Sequence, residues 1–211
     1  MKDMERFITG FKAFQKDYFG SKTSRFEALK LGQSPKTMMI SCSDSRVDPS
    51  ILTNSRPGDI FMVRNVANLV PPYEENDGYH GVSAALEFAV CSLEVEHIIV
   101  LGHSQCGGIH ALMSAEPTSG GGGTFITRWM SIAAPARERI LSELPGKAPA
   151  LQQRAAEQAA ILLSLENLRT FPFVTERLSA DKLSLHGWYF DLETGELLEY
   201  RTEEGKFKQV K

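Results

Sequence analysis

The chain of 211 residues holds only three cysteines, Cys42, Cys91 and Cys106. That is too few for a disulfide framework and suits a reducing compartment, where a cysteine pair is more often a metal site. Positive charge is not in excess either. Lys and Arg number 23 against 26 Asp and Glu, for a formal net charge of −3, which argues against a nucleic-acid partner. No apolar run is long enough to span a bilayer, so no membrane partner is expected. The opening residues, "MKDMERFITGFKAFQKDYF", carry acidic groups and lack a continuous apolar stretch or a small-residue cleavage site. Neither a secretory signal nor a transit peptide is therefore expected, and the cytoplasm is the expected location. The glycine-rich stretch "EPTSGGGGT" (116–124) lacks the Gly-Lys-Ser/Thr ending of a phosphate-binding loop and reads as a surface loop. With no internal repeat and no linker, the length suits one domain over residues 1–211.

What is present reads as an α/β protein. Met4, Phe7, Ile8, Phe11, Phe14 and Tyr18 recur at helical steps, giving an aromatic stripe for core packing or for a partner subunit. "TMMIS" (37–41), "DIFMVRN" (59–65) and "HIIVLG" (97–102) read as buried strands, and "GVSAALEFAVCSLEV" (81–95) as a helix with Cys91 in the core. Helices are expected over roughly 125–142 and 149–170, the second stopping before Pro172. "LSLHGWYFDLETGELLEY" (183–200) reads as two strands around an "ETGE" turn. The expected fold is a mostly parallel central sheet flanked by helices, with an aromatic N-terminal helix and a C-terminal strand pair.

Chemistry concentrates in two stretches, "ISCSDSRVDP" (40–49) and "IIVLGHSQCGG" (98–108). In open α/β sheets functional residues gather at the carboxyl ends of parallel strands. Cys42 follows the first strand; His103 and Cys106 follow the third. If those strands are neighbours, two thiolates and one imidazole meet, a set that suits zinc and leaves one tetrahedral position open for catalysis. Spacing leaves other readings open. Cys42 to Arg46 is too short for a phosphatase loop, Cys106 could be a lone nucleophile at a helix N-terminus, and His110 could replace His103. His103 is preferred because it shares the strand end with Cys106.

"CSDSRVDP" followed by "GHSQCGG" resembles the β-class carbonic anhydrases. The likeness continues through "PGDIFMVRNVANLVPP" (57–72), "SAALEFAV" (83–90) and "SLENLRTFP" (164–172). It implies a zinc ion on Cys42, His103 and Cys106, and reversible hydration of carbon dioxide to bicarbonate by zinc-bound hydroxide. Asp44 would accept a hydrogen bond from that hydroxide, while Arg46 keeps the carboxylate ionised and off the metal. Met39 and Ser41 stand where a regulated subtype has tryptophan and glycine, so the resemblance is to the plant-like subtype. That subtype implies a substrate pocket of Gln33, Phe61, Val66, Phe88 and Gly107, with Phe88 where tyrosine is common. It also implies a homodimer or larger homo-oligomer, with helix 1–20 packing on the partner subunit. His80 is a candidate proton carrier; His97 and His186 read as structural or exposed. Two other readings are a relative acting on carbonyl sulfide or carbon disulfide, and a noncatalytic zinc or partner-binding module. The intact Asp44–Arg46 pair argues against the module, since a purely structural zinc site usually fills its fourth position with a protein ligand.

Overall fold

The computed structural model describes residues 2–19, 25–76, 78–114 and 124–210. Residues 116–123 of the expected glycine-rich loop lie outside these. The chain divides into two compact units, 1–34 and 35–211.

In the first unit, α1 (Lys2–Phe19) begins with Asp3 and Glu5 and ends near Lys16, charges that suit the helix dipole. The rings of Phe14, Tyr18 and Phe19 gather with Phe26 of α2 (Arg25–Leu29), centroids 4.7 to 6.2 Å apart. Met4, Phe7, Ile8 and Phe11 stay more than half exposed. The aromatic stripe therefore divides, one end packed on α2 and the other bare.

The second unit is built on a sheet. β1 (Thr37–Cys42) runs between β2 (Ile60–Asn65) and β3 (His97–His103), and β4 (Ser184–Phe190) follows β3, all parallel. β5 (Leu197–Arg201) and β6 (Lys206–Gln209) add antiparallel, giving the order β2-β1-β3-β4-β5-β6 among the described residues. Because β1 and β3 are covered on both faces, they read as uniform apolar runs. Met38, Ile40, Ile98 and Val100 join a core with Ile161 and Leu168 of α8 (Pro149–Leu168), while Met39, Ile99 and Leu101 pack with Trp188 and Phe190.

The connections depart from expectation where proline or local capping intervenes. α3 (Pro49–Thr53) was not foreseen; Asp48 caps it, accepting from the Ser50 and Ile51 N–H groups, with Pro49 in the first turn. The helix expected over 81–95 is α4 (Gly81–Glu87) running into a wider π turn, Phe88–Ser92. That turn leaves Cys91 exposed, contrary to its expected place in the core. After β3 comes α5 (Gly107–Ser114). The helix expected over 125–142 is broken into α6 (Thr124–Met130), a 3-10 turn at Ser131–Ala133, and α7 (Ala134–Glu143), which carries proline in its first turn. Pro172 does follow the end of α8, yet it also opens a further helix, α9 (Pro172–Ser179), in the position where a missing N–H costs nothing. The expected C-terminal strand pair is β4 and β5, to which β6 adds through Gly205, left-handed at φ 64°. No helix among the described residues is long and apolar enough to cross a membrane.

Candidate metal centre

β1 and β3 are neighbours, so the segments leaving their carboxyl ends emerge side by side. Cys42 ends β1 and His103 ends β3. The chain then turns through Gln105, left-handed at φ 58°, and Cys106 precedes α5. The two sulfurs and a His103 ring nitrogen come within 4.8 Å of one another, with all three residues buried. Bonds of about 2.0–2.3 Å to a tetrahedral ion set ligands roughly 3.5 Å apart, so a small contraction would close the cluster on a metal.

The histidine is prepared for that role. Its Nδ1 lies 2.8 Å from the Ser104 carbonyl oxygen. A carbonyl only accepts, so Nδ1 carries a proton, and in the neutral ring it is Nε2 that offers a lone pair. Nε2 is buried and has no hydrogen-bond partner among the described residues. A buried lone pair beside two sulfurs fits a borderline ion such as zinc. The Cys106 thiol draws the Cys42 thiol well below its ordinary pKa, against burial, and the N–H groups of Asp44 and Ala67 act in the same direction. Cys106 is in turn pushed up by Cys42 and by burial, although N–H groups of Gly108 and Ile109 favour its thiolate.

Asp44 and Arg46 form a two-pronged pair beside the cluster. Arg46 donates from Nε to Oδ1 at 2.9 Å and from Nη2 to Oδ2 at 2.7 Å, and its backbone N–H adds a third bond at 3.0 Å. These bonds hold the Asp44 carboxyl far below the usual range, the Arg46 side chain foremost, against some burial. Asp44 Oδ2 is 3.9 Å from His103 Nε2, outside hydrogen-bond reach. Arg46 Nη2 also donates to the Gln105 carbonyl at 3.0 Å, tying the first loop to the second.

The other expected site residues divide. Val66 and Gly107 are the chain neighbours of Asn65, which pairs with Cys42, and of Cys106. Val66 follows β2 directly, its carbonyl accepting from Trp129 Nε1 at 2.7 Å, and Gly107 is the exposed first residue of α5. Phe61 and Phe88 pair with each other, centroids 5.8 Å apart, but not with the cluster of their own chain. Phe61 stands opposite Met38, four residues before the Asn65–Cys42 pairing, or roughly 13 Å back along the strand. Gln33 is exposed and belongs to the first unit. His80 hydrogen bonds Asn76 at 2.7 Å, and His97 and His186 share the Ser184 hydroxyl at 2.7 and 3.0 Å.

Several supporting residues escaped sequence reading. Arg64 donates to the carbonyls of Cys42, Asp44 and Val47 at 3.0, 2.8 and 2.6 Å, holding the first loop in shape. A lone arginine at the end of an apolar strand was the available signal. Ala67 and Asn68 are left-handed, φ 63° and 49°, in a turn clamped by the Asn65 amide, which bonds both the N–H and the carbonyl of Leu69 at 2.9 Å. Gly108 is the glycine that packing demands. A Cβ there would meet Val66 Cγ1 at 2.9 Å and Ala67 Cβ at 3.3 Å, whereas one at Gly107 would meet nothing within 4 Å.

Comparison with known proteins agrees with this geometry. The sequence profile of the family described as carbonic anhydrase matches residues 37–197. A carbonic anhydrase of Synechocystis is 40% identical over 200 residues, covering 93% of this chain and 71% of that protein. The structure of the β-carbonic anhydrase CcaA superposes with a TM-score of 0.92 at 36% identity, covering 100% of this chain and 93% of that one. A tetrameric β-carbonic anhydrase of Sordaria macrospora superposes with a TM-score of 0.74 at 30% identity, covering 93% of each chain. With matches of this extent, and a family match that spans both strand-end motifs, the chain belongs to the β-class carbonic anhydrases.

Proposed function

We propose that the protein catalyses the reversible hydration of carbon dioxide to bicarbonate with one zinc ion held by Cys42, His103 and Cys106. The observation that carries this reading is the buried, unpartnered Nε2 of His103, aimed by the Ser104 carbonyl and set beside two cysteine sulfurs. Bound there, zinc would supply a Lewis acid that brings the pKa of water to about 7. The chain supplies orientation. Asp44, kept ionised by Arg46, can only accept, so it holds a water or hydroxide beside the cluster with an O–H turned towards the carboxylate. Arg46 donates to both oxygens of that carboxylate, which would keep it off a bound metal and leave the ion accessible to water.

Carbon dioxide has no charge to grip, and an apolar pocket suits it. Val66 and Gly107 form the near side. Phe61 and Phe88 stand away from their own cluster and Phe88 is 46% exposed, which suits a pocket completed across a subunit contact. The tetrameric relative supports a homodimer or larger assembly, in which α1 lays its bare apolar residues on the partner. Gln33 donates its amide to the oxygen that becomes anionic as hydroxide adds, favouring the transition state over the bound substrate. Met39 and Ser41 support the plant-like subtype. The cytoplasm, where the free thiols would persist, is the assigned location.

Stopped-flow hydration of carbon dioxide by the purified protein, before and after zinc chelation, tests the reading. Rapid hydration that is lost with zinc and restored with it is expected. A zinc-loaded protein without hydration would overturn it. Gln33→Ala should lower kcat/KM by roughly ten- to a thousandfold with zinc retained. Wild-type kinetics there would leave Gln33 a structural residue.

A further inference from the structure

Behind the metal cluster lies a second set of charges that hydration does not use. Glu157, on α8, is 3% exposed. A carboxylate so placed is costly unless its oxygens are filled, and an apolar side chain would pack there at less cost. Here they are filled. Oε1 accepts from the backbone N–H of Cys106 and from Gln153 Nε2, both at 3.0 Å, and Oε2 accepts from the Tyr189 hydroxyl at 2.8 Å. Tyr189 is fully buried, and burial followed by the nearby Glu157 charge pushes its hydroxyl up, so it remains a donor.

The surrounding groups keep this carboxylate in place. The Arg154 guanidinium lies over the Tyr189 ring at 5.6 Å and pairs with buried Asp191 at 2.6 Å. Asp191 accepts from the Ser104 hydroxyl at 3.4 Å and from the Glu193 N–H at 2.9 Å. Ser104 Oγ in turn accepts from the Leu192 N–H at 2.8 Å. Gln153 is itself fixed by His110 Nδ1 at 2.8 Å. Helix α8, strand β4 and the turn after it thus converge on the rear of residues 103–106.

The left-handed turn at Gln105 explains why an acceptor is needed there. It points the Cys106 N–H into the interior, away from any strand partner, while the Cys106 sulfur faces Cys42. A buried N–H without an acceptor is strongly disfavoured. We propose that Glu157 is a positioning residue for the metal centre: it takes the Cys106 N–H, and Tyr189 and Gln153 lock its carboxylate so that the Cys106 sulfur is held against Cys42 and His103. This rests on the zinc reading above. It assigns a role to a charge whose sequence setting, "QQRAAEQAA", reads as an ordinary helix surface.

The test is metal affinity, which a merely structural carboxylate would leave unchanged in the folded protein. Zinc affinity is measured by chelator competition on wild type, Glu157→Gln, Glu157→Asp and Tyr189→Phe, with the thiolate-to-metal absorption of the cobalt-substituted forms as a second readout. Glu157→Gln should bind zinc about ten- to a hundredfold more weakly, the range for losing a group that orients a ligand, with altered cobalt bands. Glu157→Asp keeps the charge but withdraws it by one methylene, and it should not restore affinity. Tyr189→Phe should show a smaller loss. Wild-type affinity and cobalt bands in Glu157→Gln would overturn the proposal. Where that variant does not fold, wild-type affinity in both Glu157→Asp and Tyr189→Phe would do so. A wild-type protein that binds no zinc would sink the metal reading and this role with it, whereas zinc-replete wild type beside unchanged variants sinks the role alone.

Discussion

Residues 42–47 and 103–106 leave adjacent strands side by side, yet they are anchored by charges in different surroundings. The first loop is held near the surface. Arg46, its side chain 49% exposed, grips Asp44, and Arg64 gathers three carbonyls. The second is held from the interior by Glu157 and Asp191, which are almost fully buried. Each loop contributes cysteine to the cluster, but only the first presents a carboxylate that is not enclosed. On the proposed function, the difference separates orienting a reactant, which needs access, from holding ligands still, which needs enclosure.

The largest effect should come where the two loops have the same duty. Cys42→Ala and Cys106→Ala should each lose nearly all bound zinc by metal analysis. Hydration should fall by more than about a thousandfold, since the pKa of water would return from about 7 towards its far higher bulk value. Full zinc retention in either variant would remove it from the ligand set.

A substitution in the first loop alone should separate turnover from folding. Arg46→Leu releases the Asp44 carboxylate and should lower kcat/KM about a hundredfold, the scale of a misplaced catalytic group. The denaturant midpoint should fall only slightly, because the Arg46 side chain is half exposed and an ion pair so open to solvent contributes little to stability. A large fall in midpoint with turnover preserved would reverse the contrast between the loops.

The smallest effect belongs to the second loop and appears as a dependence on pH. The Glu193 N–H, then the Arg154 guanidinium, hold the Asp191 carboxyl below its ordinary value despite burial. Its contribution to stability is therefore present above the unfolded carboxylate value of about 4 and is lost as pH falls through the lower folded value. Wild type should be more stable than Asp191→Asn at pH 7, and the gap should narrow below about pH 4. Urea unfolding across that range checks this, and a gap constant with pH would show that the charge of Asp191 is not what matters.

The same contrast explains what could be read in advance. The parallel strands and the meeting of Cys42, His103 and Cys106 were legible, because apolar runs with turn chemistry at their ends state both the sheet and its crowded edge, although spacing alone left His110 open in place of His103. Asp44 and Arg46 were legible because they lie beside Cys42 in sequence. Glu157 and Asp191 were not. They lie 51 and 85 residues beyond Cys106, and only the packing of α8 and the β4–β5 turn brings them to the second loop. Gly108 was hidden beside Gly107 because its need is steric and arises from Val66 and Ala67 on another segment. The helix breaks near Ser131 and at Phe88 were missed because periodicity continues through a change of helical pitch.

The left-handed residues around the cluster, Ala67, Asn68 and Gln105, bear on how this protein would respond to selection for heat resistance. A conformation of that kind costs an ordinary residue about 1–3 kcal/mol. Glycine at 67 or 105 would relieve the cost, and a screen that scored melting temperature alone would favour it. The same exchange would free the peptide that presents the Ala67 N–H to Cys42, or the Gln105 carbonyl to Arg46, to rotate. Thermostability and catalytic precision are therefore opposed at these two positions, and a consensus built only for stability would erode the active edge first.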